Sequence, residues 1–223
     1  MKIKNLLIGA ALLAGFGLTS CSSDDNGGPQ SYIDFVTLDH FNEAGATMSF
    51  RQSGDSPLIT LTTNQKFTTS EFKVGDRIVI SYEPSMGLRY VSGPVVVFEA
   101  VVAEGRGSTP VKGNTIEYKD WATDEVAMQT INRSGQYLDM TFISATAAKA
   151  PKIQFVLDEE TENSERPQYR LLFTADTNGS INQYYFYCSY NIEDMWNKET
   201  TKGIRIYYKD PANGLQFTDI DKE

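Results

Sequence analysis

Histidine is nearly missing from this chain: 223 residues contain one, His40. That single copy excludes the two-histidine helical zinc motif and most histidine-based metal clusters. Cysteine is almost as scarce, with only Cys21 and Cys188. Basic residues are outnumbered, 20 Lys plus Arg against 29 Asp plus Glu, for a formal net charge of -9. No basic stretch compensates, so a phosphate backbone would find no cluster of cations able to release its counterions. Nucleic acid is therefore not an expected partner. Long hydrophobic runs are lacking too. The longest, from Leu6 to Leu18, falls short of the roughly 20 residues that a membrane-spanning helix needs. No nucleophile elbow, phosphate-binding loop or dinucleotide fingerprint occurs.

The short apolar run follows Lys2 and Lys4 and leads into Leu18-Thr19-Ser20-Cys21. A charged start, an apolar core and small residues make a secretory signal peptide, expected over residues 1–20. The tetrapeptide resembles a bacterial lipobox, which implies cleavage before Cys21 and acylation of that cysteine. Several acyl chains at about 0.8 kcal/mol per buried methylene would hold the chain on a membrane without a spanning segment. Cys188 would then be the only thiol, and no internal disulfide is expected. Residues 21–30 continue as Ser22-Ser23-Asp24-Asp25-Asn26-Gly27-Gly28-Pro29-Gln30, polar and rich in helix breakers. They are expected to form a flexible tether. The acidic start of that tether also resembles an export signal to the outer face of the outer membrane. The expected address is thus an outer-membrane lipoprotein, surface-exposed or otherwise facing the periplasm.

Beyond the tether, short β-branched and aromatic segments are separated by Gly and polar residues, the pattern of an all-β fold. In Arg77-Ile78-Val79-Ile80-Ser81-Tyr82, Ile78, Ile80 and Tyr82 share one face. The run from Pro94 to Val102 is apolar on both faces and predicts a central or barrel-closing strand. Tyr90 and Val91 form another short apolar segment. Glu104 to Asn114 is rich in Gly, with one Pro, and predicts a boundary between modules. Further strands are expected over Tyr137–Ile143, Ile153–Leu157, Tyr169–Ala175, Gln183–Tyr190, Gly203–Tyr208 and Gly214–Phe217. Asn178-Gly179 and Asn213-Gly214 signal hairpin turns with two positive-φ residues. One helix is expected, from Asn191 to Thr200, capped by Asn191.

With these residues in place the chain resembles the NigD-like lipoprotein family. The resemblance rests on the lipobox and acidic tether, on Phe72-Lys73-Val74-Gly75-Asp76-Arg77-Ile78-Val79-Ile80-Ser81-Tyr82, and on Ser134-Gly135-Gln136-Tyr137-Leu138-Asp139-Met140-Thr141-Phe142. It implies a mainly β protein, an N-terminal OB-like barrel over residues 31–107 followed by a C-terminal β-sandwich over residues 114–223, with one short helix. Where many members carry a His-Asn pair, this chain has Ser189-Tyr190-Asn191. The family supplies no established biochemical activity.

Candidate chemistry is sparse. His40 lies beside Asp39, but adjacent strand residues point to opposite faces. Cys188 shares a face with Tyr184 and Phe186 and reads as a small core residue. Asp158, Glu159, Glu160 and Glu162, or Asp219 and Asp221, carry oxygen donors of the kind calcium takes, without the spacing of a calcium loop, and read as solvated charge. No catalytic residue, metal site or cofactor is expected. The aromatics remain: 12 Tyr, 12 Phe and 2 Trp. Tyr185 and Tyr187, opposite Cys188 on their strand, together with Tyr207, are the candidate ligand-binding residues, a tyrosine platform for sugar rings or a protein surface. Trp121 would wedge the modules together, and Trp196 would anchor the helix. The expectation is a non-enzymatic, lipid-anchored binding module for a glycan or an envelope protein. The alternatives are a structural or assembly subunit of an outer-membrane complex and a hydrolase with an unrecognised carboxylate site.

Overall fold

The computed structural model describes residues 30–114, 123–147, 151–175, 178–179 and 181–222. The signal peptide, Cys21, nearly all of the tether and Trp121 lie outside the described residues. The described residues form fourteen strands, one short α-helix and a 3-10 turn.

The first five strands close a barrel. They are β1 (Tyr32–Asn42), β2 (Gly45–Phe50), β3 (Ile59–Thr63), β4 (Arg77–Pro84) and β5 (Gly93–Val102), in the order β1-β2-β3-β5-β4 with β4 returning to β1. Every pair is antiparallel except β3 with β5. This is the Greek-key barrel of OB type. Alternation drives it: Ile78, Ile80 and Tyr82 point inward with no exposure and meet Val36, Leu38, Met48 and Leu61. The outward residues of β4, Arg77, Val79 and Ser81, are buried as well, because the second module covers that side. On β5 the expected second apolar face is left open. Val95 and Val97 enter the core, whereas Val96 and Phe98 remain more than half exposed. Tyr90 and Val91 do not make a strand; they sit in the β4–β5 loop, where Tyr90 takes a φ of 61°.

The second module stacks two sheets. One runs β14-β13-β11-β10-β7, and the other β6-β12-β9-β8. Their strands are β6 (Glu104–Ser108), β7 (Val111–Gly113), β8 (Ala127–Ser134), β9 (Tyr137–Thr146), β10 (Lys152–Asp158), β11 (Gln168–Thr174), β12 (Asn182–Asn191), β13 (Gly203–Asp210) and β14 (Gly214–Asp221). Aromatic rings fill the space between the sheets. Phe142 stacks on Phe186 at 5.3 Å and meets Phe173 edge-on at 5.6 Å, while Phe155 stacks on Tyr169 at 5.0 Å. Cys188 lies in this core with no exposure, and burial pushes its thiol pKa up.

Three local expectations differ from the structure. The segment expected as a boundary is structured: β6 pairs in parallel with β12, and β7 pairs in parallel with β10. The barrel's last strand therefore ends at Val102 and the chain enters the sandwich at Glu104. The helix α1 is only Glu193–Trp196. Its cap is Ile192, not Asn191, which accepts from the Glu193 N–H at 2.8 Å from one position earlier; Met195 and Trp196 are the helix's buried residues, and the polar run Lys198-Glu199-Thr200 gives a further turn nothing to bury. In the β13–β14 hairpin, Gly214 alone of the Asn213-Gly214 pair takes a positive φ, 69°. The Asp210 carboxylate shapes this loop by accepting from the Ala212 and Asn213 N–H groups, both at 2.9 Å.

Candidate binding cleft

The barrel and the sandwich are joined through buried polar contacts. Arg77 on β4 reaches across to β9 and β12, and its guanidinium Nη2 donates to Asp139 Oδ2 at 2.6 Å. Its Nε donates to Ser189 Oγ at 3.2 Å, and Ser189 Oγ donates to Asp139 Oδ1 at 2.6 Å. The guanidinium also lies over the Tyr137 ring at 4.5 Å. Of Ser189-Tyr190-Asn191, which stand where the family's His-Asn pair was expected, Ser189 thus holds the joint, while Asn191 lies before the helix cap and accepts from the Glu193 N–H. Nearby, the backbones of Gly54 and Ser134 form a parallel bridge, with Gly54 N–H donating to Arg133 O and Gly135 N–H to Gly54 O, both at 2.7 Å. Arg133 grips Asp55 with both of its Nη atoms and lies 4.5 Å over Trp196.

Beside this joint opens a cleft of about 510 Å³. The barrel contributes Ile33, Asp34, Phe35, Arg51, Arg89 and Tyr90 to its lining. The sandwich contributes Gln129, Thr130, Asn132, Thr141, Tyr185 and Tyr187. Such a volume is within the range of small-ligand sites. Alternation on β12 explains why the tyrosines are here: Phe186 and Cys188 fill the core, so Tyr185 and Tyr187 face the other way, toward the barrel. Tyr187 meets Phe35 at 6.0 Å and closes one end. Burial pushes its phenol up to about 12, with Tyr185 and the Glu99 carboxylate adding to the shift.

Two carboxylates line the cleft, and each is held by an arginine. Asp34 accepts from Arg89 at 2.8 Å on one oxygen and from the Tyr82 hydroxyl at 2.8 Å on the other. Burial raises the Asp34 pKa against the lowering pull of Arg89 and Tyr82. Asp139 is also raised by burial, against Arg77 and Ser189. With both oxygens of each carboxylate engaged, these groups hold the cleft's walls. Arg89 is itself sandwiched between the rings of Tyr32 at 4.8 Å and Tyr90 at 4.5 Å.

Tyr207 is not part of this surface. It lies on β13, in the other sheet, beside Phe217 at 5.8 Å and under Arg170 at 5.4 Å, so the expected three-tyrosine platform is divided between two faces of the sandwich. His40 is exposed and shares a 3.2 Å hydrogen bond with Asn42, while Asp39 accepts from Ser49. Glu162 is bound by Lys112 and Lys198, and Asp219 by Arg205 and Arg166. Among the described residues no group of three or more metal-ligating side chains occurs.

The sequence reading missed Asp34, Arg89, Gln129 and Asn132. The last two lie on β8, a strand whose mixed polarity hid it. The Ser134-Gly135 dipeptide that turns β8 into β9 was the available signal.

A closed OB-type barrel held against a two-sheet sandwich, with an aromatic and polar cleft between them, defines the class: a two-module, mainly β protein. The chain belongs to the NigD-like family, since the model of the NigD-like C-terminal β-sandwich domain matches residues 108–222, half of its length. Among solved structures it is similar to a protein of unknown function from Bacteroides vulgatus, with 13% identity and a TM-score of 0.60 over 87% of this chain and 92% of that one. It is likewise similar to a NigD-like immunity protein from Bacteroides caccae, with 16% identity and a TM-score of 0.59 over 88% of this chain and all of that one. Both likenesses span barrel and sandwich together. No curated protein matches the sequence.

Proposed function

We propose that this protein is a lipid-anchored envelope protein that binds a glycan in the cleft between its modules and does not turn it over. The observation that carries the reading is the composition of the cleft. Tyrosine faces suit the apolar C–H surface of a sugar ring, and the amides of Gln129 and Asn132 both donate and accept, as paired hydroxyls require. The lining carboxylates are each occupied by arginine, which favours binding over acid–base chemistry. The anchor is the Cys21 of the lipobox, and the surface of the outer membrane is the address its acidic tether supports.

The test is a thermal-shift screen of the full chain in detergent against envelope and host polysaccharides and peptidoglycan fragments. A ligand at about a hundred times its dissociation constant adds ~2.7 kcal/mol. At ~1 kcal/mol for each 2 to 4 °C in a chain of this size, the midpoint rises by about 5 to 10 °C. Tyr185→Ala removes the shift, whereas Tyr207→Ala, on the far sheet, leaves it intact. The reverse pattern places the ligand elsewhere and overturns the cleft assignment. A flat response across the panel transfers the reading to a protein partner, and shortened glycan products transfer it to a hydrolase.

A further inference from the structure

The loop joining β4 to β5, residues 85–92, carries apolar side chains with nothing over them. Met86 is 68% exposed, Leu88 58% and Val91 44%. A loop tip of this kind is ordinarily polar, and a cluster of uncovered apolar groups marks a contact surface. Its backbone is set rather than slack. Gly87 N–H donates to Pro84 O at 2.9 Å, Ser85 N–H to Pro94 O at 3.0 Å, and Tyr90 holds its left-handed φ of 61°.

What this loop faces follows from where the chain begins. β1 starts at Tyr32, which pairs with Tyr82 near the end of β4, so the start of the barrel and the loop share one end. They also touch: Arg89 of the loop lies over the Tyr32 ring and donates to Ile33 O at 3.3 Å. Cys21 precedes Gln30 by nine residues, which reach at most about 30 Å when extended. An acyl group on Cys21 would therefore tether the barrel by this end, within about 30 Å of a bilayer.

We infer that the β4–β5 loop is a membrane-contacting tip, with Met86, Leu88 and Val91 inserted into the lipid interface beside the acylated N-terminus. The surrounding residues have the chemistry of that interface. Tyr32 and Tyr90 are amphipathic rings of the type enriched at headgroup level, and they flank the Arg89 guanidinium, which pairs with Asp34. The insertion is shallow, about 5 to 10 Å into the headgroup and acyl boundary. Two contacts, the acyl group and the loop, would fix the orientation of the barrel on the membrane where the acyl group alone would leave it free to tumble. The inference rests on the Cys21 anchor of the proposed function.

The experiment places an environment-sensitive fluorophore on the full, acylated chain at Leu88→Cys, and separately at Leu215→Cys, which is exposed on the sandwich. The protein is reconstituted into phosphatidylethanolamine–phosphatidylglycerol vesicles containing a spin-labelled quencher lipid, and acylation is read by mass spectrometry. The expected result is a blue-shifted Leu88 probe quenched by more than half, with the Leu215 probe unaffected. Serine at both Met86 and Leu88, with the probe moved to Val91→Cys, abolishes the quenching while acylation persists. If the chain is acylated and vesicle-bound but the Leu88 probe stays unquenched, the loop inference falls and the anchor stands. Loss of acylation overturns both. Equal quenching at Leu215 overturns the oriented tip, and a blue shift that grows with protein concentration in detergent assigns the loop to a second copy instead.

Discussion

Arg77 is 1% exposed and carries a full charge, and the modules meet around it. A buried guanidinium persists only when its donors are satisfied; here Asp139, Ser189 and Thr37 accept from it and the Tyr137 ring lies against it. The two halves of the pair differ in what they do when left alone. Asp139, already raised by burial, can take up a proton and become neutral, whereas arginine cannot lose one. Asp139→Ala should therefore cost about 3 to 5 kcal/mol, the range for stranding a buried charge. Arg77→Met should cost less, and the double variant Arg77→Met/Asp139→Leu should recover most of the loss. Urea unfolding of the four proteins as a double-mutant cycle at neutral pH checks this, and a larger cost for Arg77→Met than for Asp139→Ala would refute it. Neither role was visible in the sequence, where Arg77 opens a strand and Asp139 interrupts one, more than sixty residues apart.

At the scale of elements, the segment 104–108 shows how glycine misleads. Gly105 and Gly107 read as a linker, yet both lie in β6, against the end of β12 and the Arg77 joint. Gly105 has a φ of 81°, and a Cβ there would stand 2.5 Å from the Tyr190 ring and 2.8 Å from Ser189 O. The residue is small because another backbone passes close by. Gly105→Ala should therefore detach β6 from β12. Gly75→Ala is the matched control, since Gly75 has a φ of 91° but no atom within 4 Å of its would-be Cβ. The control should lose about 1 to 2 kcal/mol of stability, the strain of a left-handed residue. The Gly105 variant should lose more and also show fast amide exchange along β6. Equal losses with β6 still protected would mean that the close approach relaxes without cost. Strands with a regular apolar face toward a core, such as β4, β9 and β12, were legible from alternation. β6, β7 and β8 were not, because two are short and the third shows mixed polarity toward the cleft.

For the molecule as a whole, the apolar pattern disclosed an all-β chain, while the division into barrel and sandwich came from the Gly-rich segment 104–114 and the family resemblance. The sequence did not disclose the cleft, whose walls pair Asp34 with Arg89 and Phe35 with Tyr187 across distances no motif spans. Only the two tyrosines could be named in advance, from their face of β12, and Tyr207 was grouped with them because sequence does not say which sheet a strand joins. The same network sets the response to acid. Asp55, Glu162 and Asp219 have pKa values lowered first by hydrogen bonds from Arg133, from Lys112 and Lys198, and from Arg205. A depressed folded pKa contributes stability that is present above the unfolded value, near 3.9 for Asp and 4.3 for Glu, and is lost as pH falls through the folded value. Asp34, Glu104 and Asp139 have the opposite sign, raised first by burial, so the fold is favoured as pH falls through their folded values toward the unfolded ones. The two sets act in separate windows, above about pH 4 for the raised groups and below it for the lowered ones. Thermal midpoints measured from pH 7 to pH 2.5 should thus rise or hold toward weak acid and then drop below about pH 4. Asp55→Asn, which removes the carboxylate from the Asp55–Arg133 contact between barrel and sandwich, should make that drop shallower. A midpoint that declines steadily from pH 7 to pH 4 would show that the buried carboxylates are held charged by their arginines more firmly than burial opposes them.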